Sequence, residues 1–261
     1  MVTKQDIFNM LTALGIQKTD TVLVHSSMRS TGGVEGGCDT VIEAFTEYLS
    51  DGLFIVPTHT WNSVKPSQPL YDVRTSMPCT GALTTVAVGR KEGVRSLHPP
   101  HSVVAFGKRA REFVQGEEHC GTPTPPGGCW ARLYDEDAKI LLLGVEHNRN
   151  TYIHAIDEQI DLPNRLCETP FTAQIRDESG QIHTVEFRGH CPGVGSAYFT
   201  NYKKPLEVLG AVTYATLGNA LVYCCNARKC TEIIKHLWQK TDHDLVAQEE
   251  EIPFEYYADL M

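Results

Sequence analysis

Residues 21–50 read TVLVHSSMRSTGGVEGGCDTVIEAFTEYLS, and this stretch decides the fold class. Its first part, TVLVHSS at 21–27, is rich in apolar and β-branched residues, which predicts a buried strand. The glycine-rich run RSTGGVEGG follows, and CDTVIEAFTEYLS then has the apolar spacing of a helix. A strand, a glycine-rich loop and a helix in this order indicate an α/β protein.

The alternation continues on both sides of this stretch. Residues 4–15, KQDIFNMLTALG, predict an amphipathic helix that ends at Gly15. LFIVPTHTW at 53–61 predicts a buried strand that stops at Pro57. AKILLLGV at 138–145 predicts another strand, and the loop after it enters a helix.

A β-hairpin is predicted for FTAQIRDESGQIHTVEF at 171–187, because two alternating segments flank a turn-forming sequence. The chain has neither an internal repeat nor a long flexible linker. We therefore predict a single α/β domain over residues 1–261, with a small hairpin subdomain at about 166–190.

Composition and charge restrict the function classes. Of the 261 residues, 23 are Lys or Arg and 32 are Asp or Glu, and the formal charge of −9 argues against a nucleic-acid partner. The longest apolar runs are far shorter than the ~20 residues that span a bilayer, so no membrane segment is predicted. The N-terminal sequence lacks the features of a secretory signal, and we expect a cytoplasmic protein. The acidic run EEEIPFEYYADL at 249–260 is expected to be a solvated terminus.

Cysteine and histidine patterns do not favour a metal site. The nine cysteines are an odd number and contain no CxxC pair, which predicts reduced thiols rather than a disulfide framework. The histidines outside the helix discussed next show no HxH or HExxH spacing. We expect most of these residues to be hydrogen-bonded structural groups and expect no bound metal; they are His25, His59, His98, His101 and His119.

The strongest local feature is NTYIHAIDE at 150–158. With Asn150 or Thr151 as the N-cap, His154 lies in the first helical turn, and Asp157 and Glu158 follow it at i+3 and i+4. Either carboxylate can then reach the imidazole. The helix follows an apolar strand, and ligands of open α/β sheets bind at the carboxyl ends of strands. The pattern predicts a neutral base near pH 7, although an exposed histidine–carboxylate pair has the same spacing.

The glycine-rich loop is the second candidate site. Ser26, Ser27, Arg29 and Ser30 supply hydrogen-bond donors, and the glycines allow close approach of the backbone, which suits a phosphate or pyrophosphate. The loop has neither GK[ST] nor GxGxxG, so a tight structural turn explains the pattern equally well.

A series of motifs covers nearly the whole chain in one order. The series comprises LGI at 14–16, VLVHSSMRSTGGVEGG at 22–37, IVPTHTW at 55–61, YDVRTSMP at 71–78, LHPPHSVVAFG at 97–107, ILLLGVEHNRNTYIHAIDE at 140–158 and GNALVYCCNAR at 218–228. Together these motifs resemble the aminoglycoside 3-N-acetyltransferases, a family that uses acetyl-CoA and is unrelated in fold to the GNAT enzymes.

The resemblance implies an acyltransferase that acetylates the 3-amino group of an aminoglycoside antibiotic and so confers resistance. It implies an α/β fold particular to the family, with a central mixed sheet flanked by helices. His154 is then the general base for direct attack in a ternary complex, with Thr151, Asp157 and Glu158 beside it in the catalytic group. The implied co-substrate is acetyl-CoA, and no metal is required.

The resemblance also assigns binding residues. Those implied for acetyl-CoA are Ser26, Ser27, Met28, Arg29, Ser30, Val34, Gly36, Gly37, Thr58, His98 and Ser102. Those implied for the amine substrate are Asp72, His59 and Glu186. A homodimer is compatible with this assignment.

Three departures from the family pattern concern the site for the amine that accepts the acetyl group. Asp157 replaces the glutamate that usually lies three residues after the histidine. The segment VEFRGHCPGVGS at 185–196 lacks the usual acidic residue after the hairpin, which leaves Glu186 as the nearest acid, and GGCW at 127–130 replaces the usual Ser-Pro pattern. The alternatives are therefore the same chemistry on a non-aminoglycoside amine, or a CoA-binding relative with weakened catalysis.

Overall fold

The computed structural model describes residues 1–191 and 195–261. Within these residues the strands are β1 (Thr21–Ser26), β2 (Leu53–Pro57), β3 (Leu70–Asp72), β4 (Val94–Arg95), β5 (Val103–Phe106), β6 (Lys139–Leu143), β7 (Phe171–Arg176), β8 (Ile182–Phe187), β9 (Val212–Leu217) and β10 (Ala220–Asn226). The α-helices are α1 (Lys4–Ala13), α2 (Gly37–Tyr48), α3 (Gly81–Gly89), α4 (Ala110–Phe113), α5 (Cys129–Asp135), α6 (Tyr152–Gln159), α7 (Lys203–Val208) and α8 (Ala227–Trp238).

Seven strands form the central sheet in the order β4-β5-β2-β1-β6-β10-β9. The three middle strands are parallel, since β1 pairs in parallel with both β2 and β6. The strands on either side are antiparallel to their neighbours. The sheet is mixed and carries helices on both faces, as predicted.

The alternation of side chains in β1 explains the two layers of helices. Val22 and Val24 point to one face and belong to a core with residues of α1, α2 and α3. Leu23 points to the other face and joins a core with residues of α5, α6 and α8. Both faces of these strands are buried, which accounts for their nearly continuous apolar sequences.

The predicted hairpin forms as β7 and β8, which pair from Phe171 opposite Phe187 to Arg176 opposite Ile182. A third strand, β3, pairs in parallel with β7 and completes a small second sheet. After the hairpin, an antiparallel bridge between Leu166 and His190 returns the chain toward the central sheet. Among the described residues, no helix combines the length and apolar character needed to cross a membrane.

Candidate active site

A cavity of about 610 Å³ lies at the carboxyl ends of the parallel strands. Ser26 ends β1, His59 and Trp61 follow β2, and Arg149 lies in the turn after β6. His154, from the first turn of α6, lines the same space. Parallel strands that end at one edge bring together residues far apart in the chain, so this cavity is the candidate active site.

The orientation of α6 directs His154 into the cavity. Ile153 and Ile156 are buried in the core, whereas the His154 side chain keeps a small exposed surface, 8% for the residue. The Nδ1 atom of His154 lies 3.8 Å from Oδ2 of Asp157, one helical turn further on. This distance is too long for a hydrogen bond, so the carboxylate lies beside the imidazole without holding it directly.

Thr151 occupies the N-cap position of α6, as predicted, but it does not cap the helix with its side chain. Thr151 precedes the helix with helical backbone angles, and its side chain makes no capping hydrogen bond. The Thr151 hydroxyl instead lies 3.2 Å from Nε2 of His59. Thr151 therefore connects the start of α6 to the segment that follows β2.

Burial sets the protonation of His154 and Asp157. Desolvation lowers the pKa of His154 to about 3, and the charge of Arg165 acts in the same direction. Desolvation raises the pKa of Asp157 to about 7, while Arg165 opposes the shift. The imidazole is neutral at neutral pH, which is the form that a general base requires.

A series of ionisable groups runs from His154 to the C-terminal segment. The guanidinium of Arg165 lies with Nε 3.4 Å from Oδ2 of Asp157. The same guanidinium donates two hydrogen bonds to Asp244, at 2.7 and 2.9 Å. The Arg165 guanidinium thus lies between the carboxyl groups of Asp157 and Asp244 and supplies the positive charge nearest to both.

The C-terminal segment is packed and is not a solvated terminus, contrary to expectation. Leu245, Ile252 and Tyr257 are each no more than 1% exposed and belong to the core of α5, α6 and α8. The glutamates between them remain at or near the surface. The alternation of apolar and acidic residues allows this segment to cover the core while its charges stay hydrated.

Glu158 does not face the imidazole. Its carboxylate accepts hydrogen bonds from the Thr122 hydroxyl at 2.5 Å and from the Thr124 backbone N–H and hydroxyl, both at 2.7 Å. The expectation that either carboxylate can serve His154 is therefore corrected, because Asp157 lies beside it and Glu158 fixes the loop at 122–124.

Aromatic rings line the cavity, and the buried ring of Trp130 packs against two of them. The ring of His59 stacks between those of Trp61 and Trp130, at centroid distances of 4.4 and 5.5 Å. Trp130 also stacks with His25 at 6.0 Å and donates its indole N–H to the His101 carbonyl at 2.9 Å. His25 belongs to β1 rather than to a loop, and its side chain points to the same face as Leu23.

His190 lies directly against the candidate base. Its ring centroid is 4.2 Å from that of His154 and 5.3 Å from that of His101. Its Nε2 atom is buried and has no hydrogen-bond partner among the described residues. The bridge between Leu166 and His190 brings this ring into the cavity. Pro192, Gly193 and Val194, in the segment without the usual acid, lie outside the described residues.

Sequence comparison decides the family. A profile of the aminoglycoside 3-N-acetyltransferase family matches residues 23–239. The chain is 31% identical over 236 residues to the SPbeta prophage-derived aminoglycoside N(3')-acetyltransferase-like protein YokD of Bacillus subtilis (strain 168), covering 75% of this chain and 85% of YokD. The chain belongs to the aminoglycoside 3-N-acetyltransferase family. This result confirms the resemblance and the acyltransferase class predicted from the sequence.

Other relatives agree with this assignment at lower similarity. Aminoglycoside N(3)-acetyltransferase VII of Streptomyces paromomycinus is 29% identical over 182 residues, and the match covers 63% of each chain. A solved structure described as AAC-IIIb binary with CoASH has a TM-score of 0.76 at 21% identity, with 88% of this chain and 93% of that chain covered. The likeness confirms the predicted fold.

The loop that the family resemblance assigns to acetyl-CoA begins at the cavity but extends away from it. Of its residues, Ser26 lines the cavity. The Ser30 hydroxyl donates to Ser27 Oγ at 2.8 Å, and Met28 packs against the core of α1, α2 and α3. Arg29 is exposed beside them. Val34, Gly36 and Gly37 lead into α2, where both glycines have a positive φ.

Gly144 fixes this loop against the end of β6, and we expect Gly144→Ala to be strongly destabilising. Its φ is +64°, and an added Cβ would lie 2.5 Å from Cβ of Ser30. Strain and overpacking together should lower the free energy of unfolding by about 2–4 kcal/mol. Gly15→Ala is the matched control, since Gly15 has φ +72° with nothing within 4 Å, and should cost about 1 kcal/mol. If urea unfolding shows the same loss of unfolding free energy in Gly144→Ala and Gly15→Ala, the contact with Ser30 does not contribute to the effect.

Three residues assigned to acetyl-CoA are interior. The Thr58 and Ser102 hydroxyls are 2.9 Å apart, and Ser102 donates to the Thr58 carbonyl at 2.7 Å. His98 donates from Nε2 to the Thr122 carbonyl at 2.9 Å and accepts at Nδ1 from the His101 N–H at 3.1 Å. All three residues are completely buried. Their hydrogen bonds hold the loops around the cavity, and the contact with acetyl-CoA stays a prediction.

The two acids assigned to the substrate do not line the cavity. Asp72 ends β3, where it accepts from Arg176 at 3.1 Å and from the N–H groups of Arg74 and Thr75. Glu186 is exposed on β8 and accepts from the Thr172 hydroxyl. Of the predicted substrate residues, His59 is the one that reaches the cavity. The described lining of the cavity therefore contains no aspartate or glutamate.

A cluster of three residues resembles a metal site, but its groups have other partners. His98, Glu117 and Cys120 each bring one potential ligand atom within 4.8 Å of the others. Both ring nitrogens of His98 are already hydrogen-bonded, and Glu117 accepts from the N–H of Cys129 at 2.7 Å. These hydrogen bonds explain why the three side chains lie close together. His119, also considered from the sequence, is exposed.

Sequence reasoning missed several cavity residues. Trp61, Arg149 and His190 were not assigned to the site, and His101 was interpreted as structural, yet all four line the cavity. A weak signal existed for Trp61, which lies two residues after His59 directly beyond a strand. His190 had no such signal, because its position depends on the pairing of residues 166 and 190.

Proposed function

We propose that this protein is an acetyl-CoA-dependent N-acetyltransferase with His154 as its general base. The observation that carries the proposal is a buried, neutral imidazole in the cavity at the carboxyl ends of β1, β2 and β6. Its family membership supports the reaction class. A protonated amine has no lone pair for attack, so a neutral base beside the acceptor supplies the required proton transfer.

The proposed reaction is direct transfer in a ternary complex. The amine nitrogen attacks the thioester carbonyl carbon, and the new C–N bond forms as His154 accepts the proton from nitrogen. The tetrahedral intermediate then collapses with cleavage of the C–S bond, and the sulfur leaves as CoA thiolate, which takes up a proton. The Thr151 hydroxyl lines the same cavity and is our candidate donor to the developing oxyanion.

Acetyl-CoA would reach the cavity past the loop that follows β1. Ser26 lines the cavity, and the exposed side chain of Arg29 is suited to a phosphate of the co-substrate. The backbone at Gly36 and Gly37 opens α2, whose first N–H groups form a second candidate phosphate contact. The CoASH complex of AAC-IIIb, a protein of similar fold, supports acetyl-CoA as the co-substrate here.

The names of the relatives support the 3-amino group of an aminoglycoside as the acceptor, with antibiotic resistance as the consequence. The positions of Asp72 and Glu186 outside the cavity favour the alternative, an amine that is not an aminoglycoside. In both cases the acyl transfer and the role of His154 are the same.

The test is amine-dependent release of free thiol from acetyl-CoA. The purified protein is incubated with gentamicin, kanamycin, tobramycin and apramycin and with simple amines, after correction for its nine cysteines. We expect release that requires an added amine, with the N-acetyl product identified by mass spectrometry. CoA binding without turnover of any amine would contradict the proposal and would favour a catalytically weakened relative.

A further inference from the structure

The lining of the active-site cavity is nearly free of formal charge. Five imidazoles face it, from His25, His59, His101, His154 and His190. Among the described lining residues there is no aspartate or glutamate, and Arg149 carries the permanent charge. Pro192, Gly193 and Val194, next in the chain to the lining, have no ionisable side chain. The surface offered to an acceptor is therefore aromatic and neutral, with one cation.

The carboxylates nearest to the site have other partners. Asp157 lies behind His154, is 1% exposed and is compensated by Arg165. Glu158 is held by Thr122 and Thr124. Neither carboxylate is part of the cavity lining, so neither is a ready counter-ion for an ammonium group in the cavity.

The imidazoles cannot replace these carboxylates. Desolvation lowers the pKa of all five, so each is uncharged at neutral pH. A neutral imidazole can accept one hydrogen bond from an ammonium, but it does not compensate the charge. Each further ammonium of a polycation would lose hydration without gaining an opposite charge.

The rings favour an apolar or aromatic body on the acceptor. Trp61 is 42% exposed and lines the cavity, and its indole stacks on His59. His59 contacts His101, which in turn contacts His190, with centroid distances of 4.9 and 5.3 Å. These rings form one continuous wall that ends at His154 and suits stacking against a planar or cyclic ligand.

We propose that the acceptor is an amine with at most one positive charge and an apolar or aromatic body, rather than a polycationic antibiotic. This inference rests on the proposed acetyl transfer and names its substrate class. The single ammonium loses its charge when the amine becomes nucleophilic, so the reacting group requires no permanent counter-ion. His190 is the position that sets this preference, because its ring occupies the space beside His154 with an unpartnered Nε2.

The test compares acceptors that differ in charge under one set of conditions. The values of kcat/KM are measured by thiol release for cyclohexylamine and phenethylamine, for 1,3-diaminocyclohexane, and for kanamycin and gentamicin. We expect a fall with each added charge and at least about a tenfold advantage of the best monoamine over gentamicin, since tenfold corresponds to one weak uncompensated interaction.

The outcomes separate the acceptor class from the reaction itself. A higher kcat/KM for gentamicin or kanamycin than for every monoamine would overturn the acceptor class and leave acetyl transfer intact. If no amine in the series is acetylated, both the proposed function and the acceptor class fail.

A matched pair of variants tests the role of His190. His190→Asp introduces a carboxylate beside His154, and His190→Asn has nearly the same shape without the charge. The measured quantity is the ratio of kcat/KM for gentamicin to kcat/KM for phenethylamine within each variant, which cancels a general loss of activity. We expect this ratio to be at least about tenfold higher in His190→Asp than in His190→Asn. Equal ratios would contradict the assignment of His190 as the specificity position.

Discussion

The variant His154→Ala is expected to lose about 10²- to 10⁴-fold in kcat for acetyl transfer, with little change in the Kd for CoA. The imidazole is the one group of α6 that reaches the cavity in the neutral form required of a base. Without the imidazole, only water is available to accept the proton of the amine. The loop after β1 that would hold CoA is unchanged by the substitution. Steady-state thiol release gives kcat, and calorimetric titration gives the Kd.

Two further variants make this result specific. His154→Gln keeps a polar side chain of similar size and should be nearly as inactive as His154→Ala, which separates loss of the base from loss of packing. Glu158→Gln is the control on the same helix, because that carboxylate contacts Thr122 and Thr124 and not the imidazole. It should retain far more activity. Full turnover by a folded His154→Gln protein would refute the base assignment.

The second large effect is loss of stability in mild acid. Desolvation lowers the pKa of seven histidines, namely His25, His59, His98, His101, His147, His154 and His190. In the unfolded chain these groups titrate near 6.5, so below that pH the unfolded state binds protons that the folded state does not. Their stabilising contribution is complete above about pH 6.5. It is lost as the pH falls toward the pKa values of the folded state, which are about 4 for His147 and about 3 for His154.

The expected size of this loss is comparable to the total stability of a domain. Each group contributes up to about 1.4 kcal/mol per pH unit, so His25, His147 and His154, whose folded pKa values are about 3 to 4, together lower the free energy of unfolding by about 5 kcal/mol between pH 7 and pH 5. Asp157 opposes it, because its folded pKa is raised to about 7 and its protonation favours the folded state as the pH falls. We expect cooperative unfolding between about pH 4 and pH 6 by circular dichroism.

Single-residue controls test the origin of the acid sensitivity. His147→Gln removes one fully buried titrating group outside the cavity lining and should make the dependence of unfolding free energy on pH shallower by about one proton. His119→Gln, which changes an exposed histidine, is the comparison variant. A melting temperature that stays constant from pH 7 to pH 5 in the unmodified protein would disprove the explanation.

Much of the fold was predictable because its signals are local. The strand, glycine-rich loop and helix at 21–50 form as expected, and so do the hairpin at 171–187 and the helix that carries His154. Strand β3 was not predicted. It is only three residues long, and its pairing partner β7 lies about a hundred residues further along the chain. Such pairing leaves little trace in local sequence.

The candidate site was predictable only in part. The spacing of His154 and Asp157 required both residues to lie near one another on one helix, and they do. The same spacing did not distinguish Asp157 from Glu158, because the choice depends on Thr122 and Thr124 from a distant loop. The assignment of Asp72 to the substrate stays a prediction, since Asp72 pairs with Arg176 of another strand and lies outside the described lining of the cavity.

The sequence by itself determined the family, the order of the strands and helices that carry the site, and the place of His154 after an apolar strand, because these properties follow from residue type and spacing along the chain. Only the tertiary structure decided the character of the cavity. Its wall combines His25, His59, His101, His154 and His190 from separate segments, and its nearest acids are held by partners from other parts of the chain. Charge in a pocket depends on which side chains meet and on how deeply they are buried, and neither quantity is encoded in local spacing.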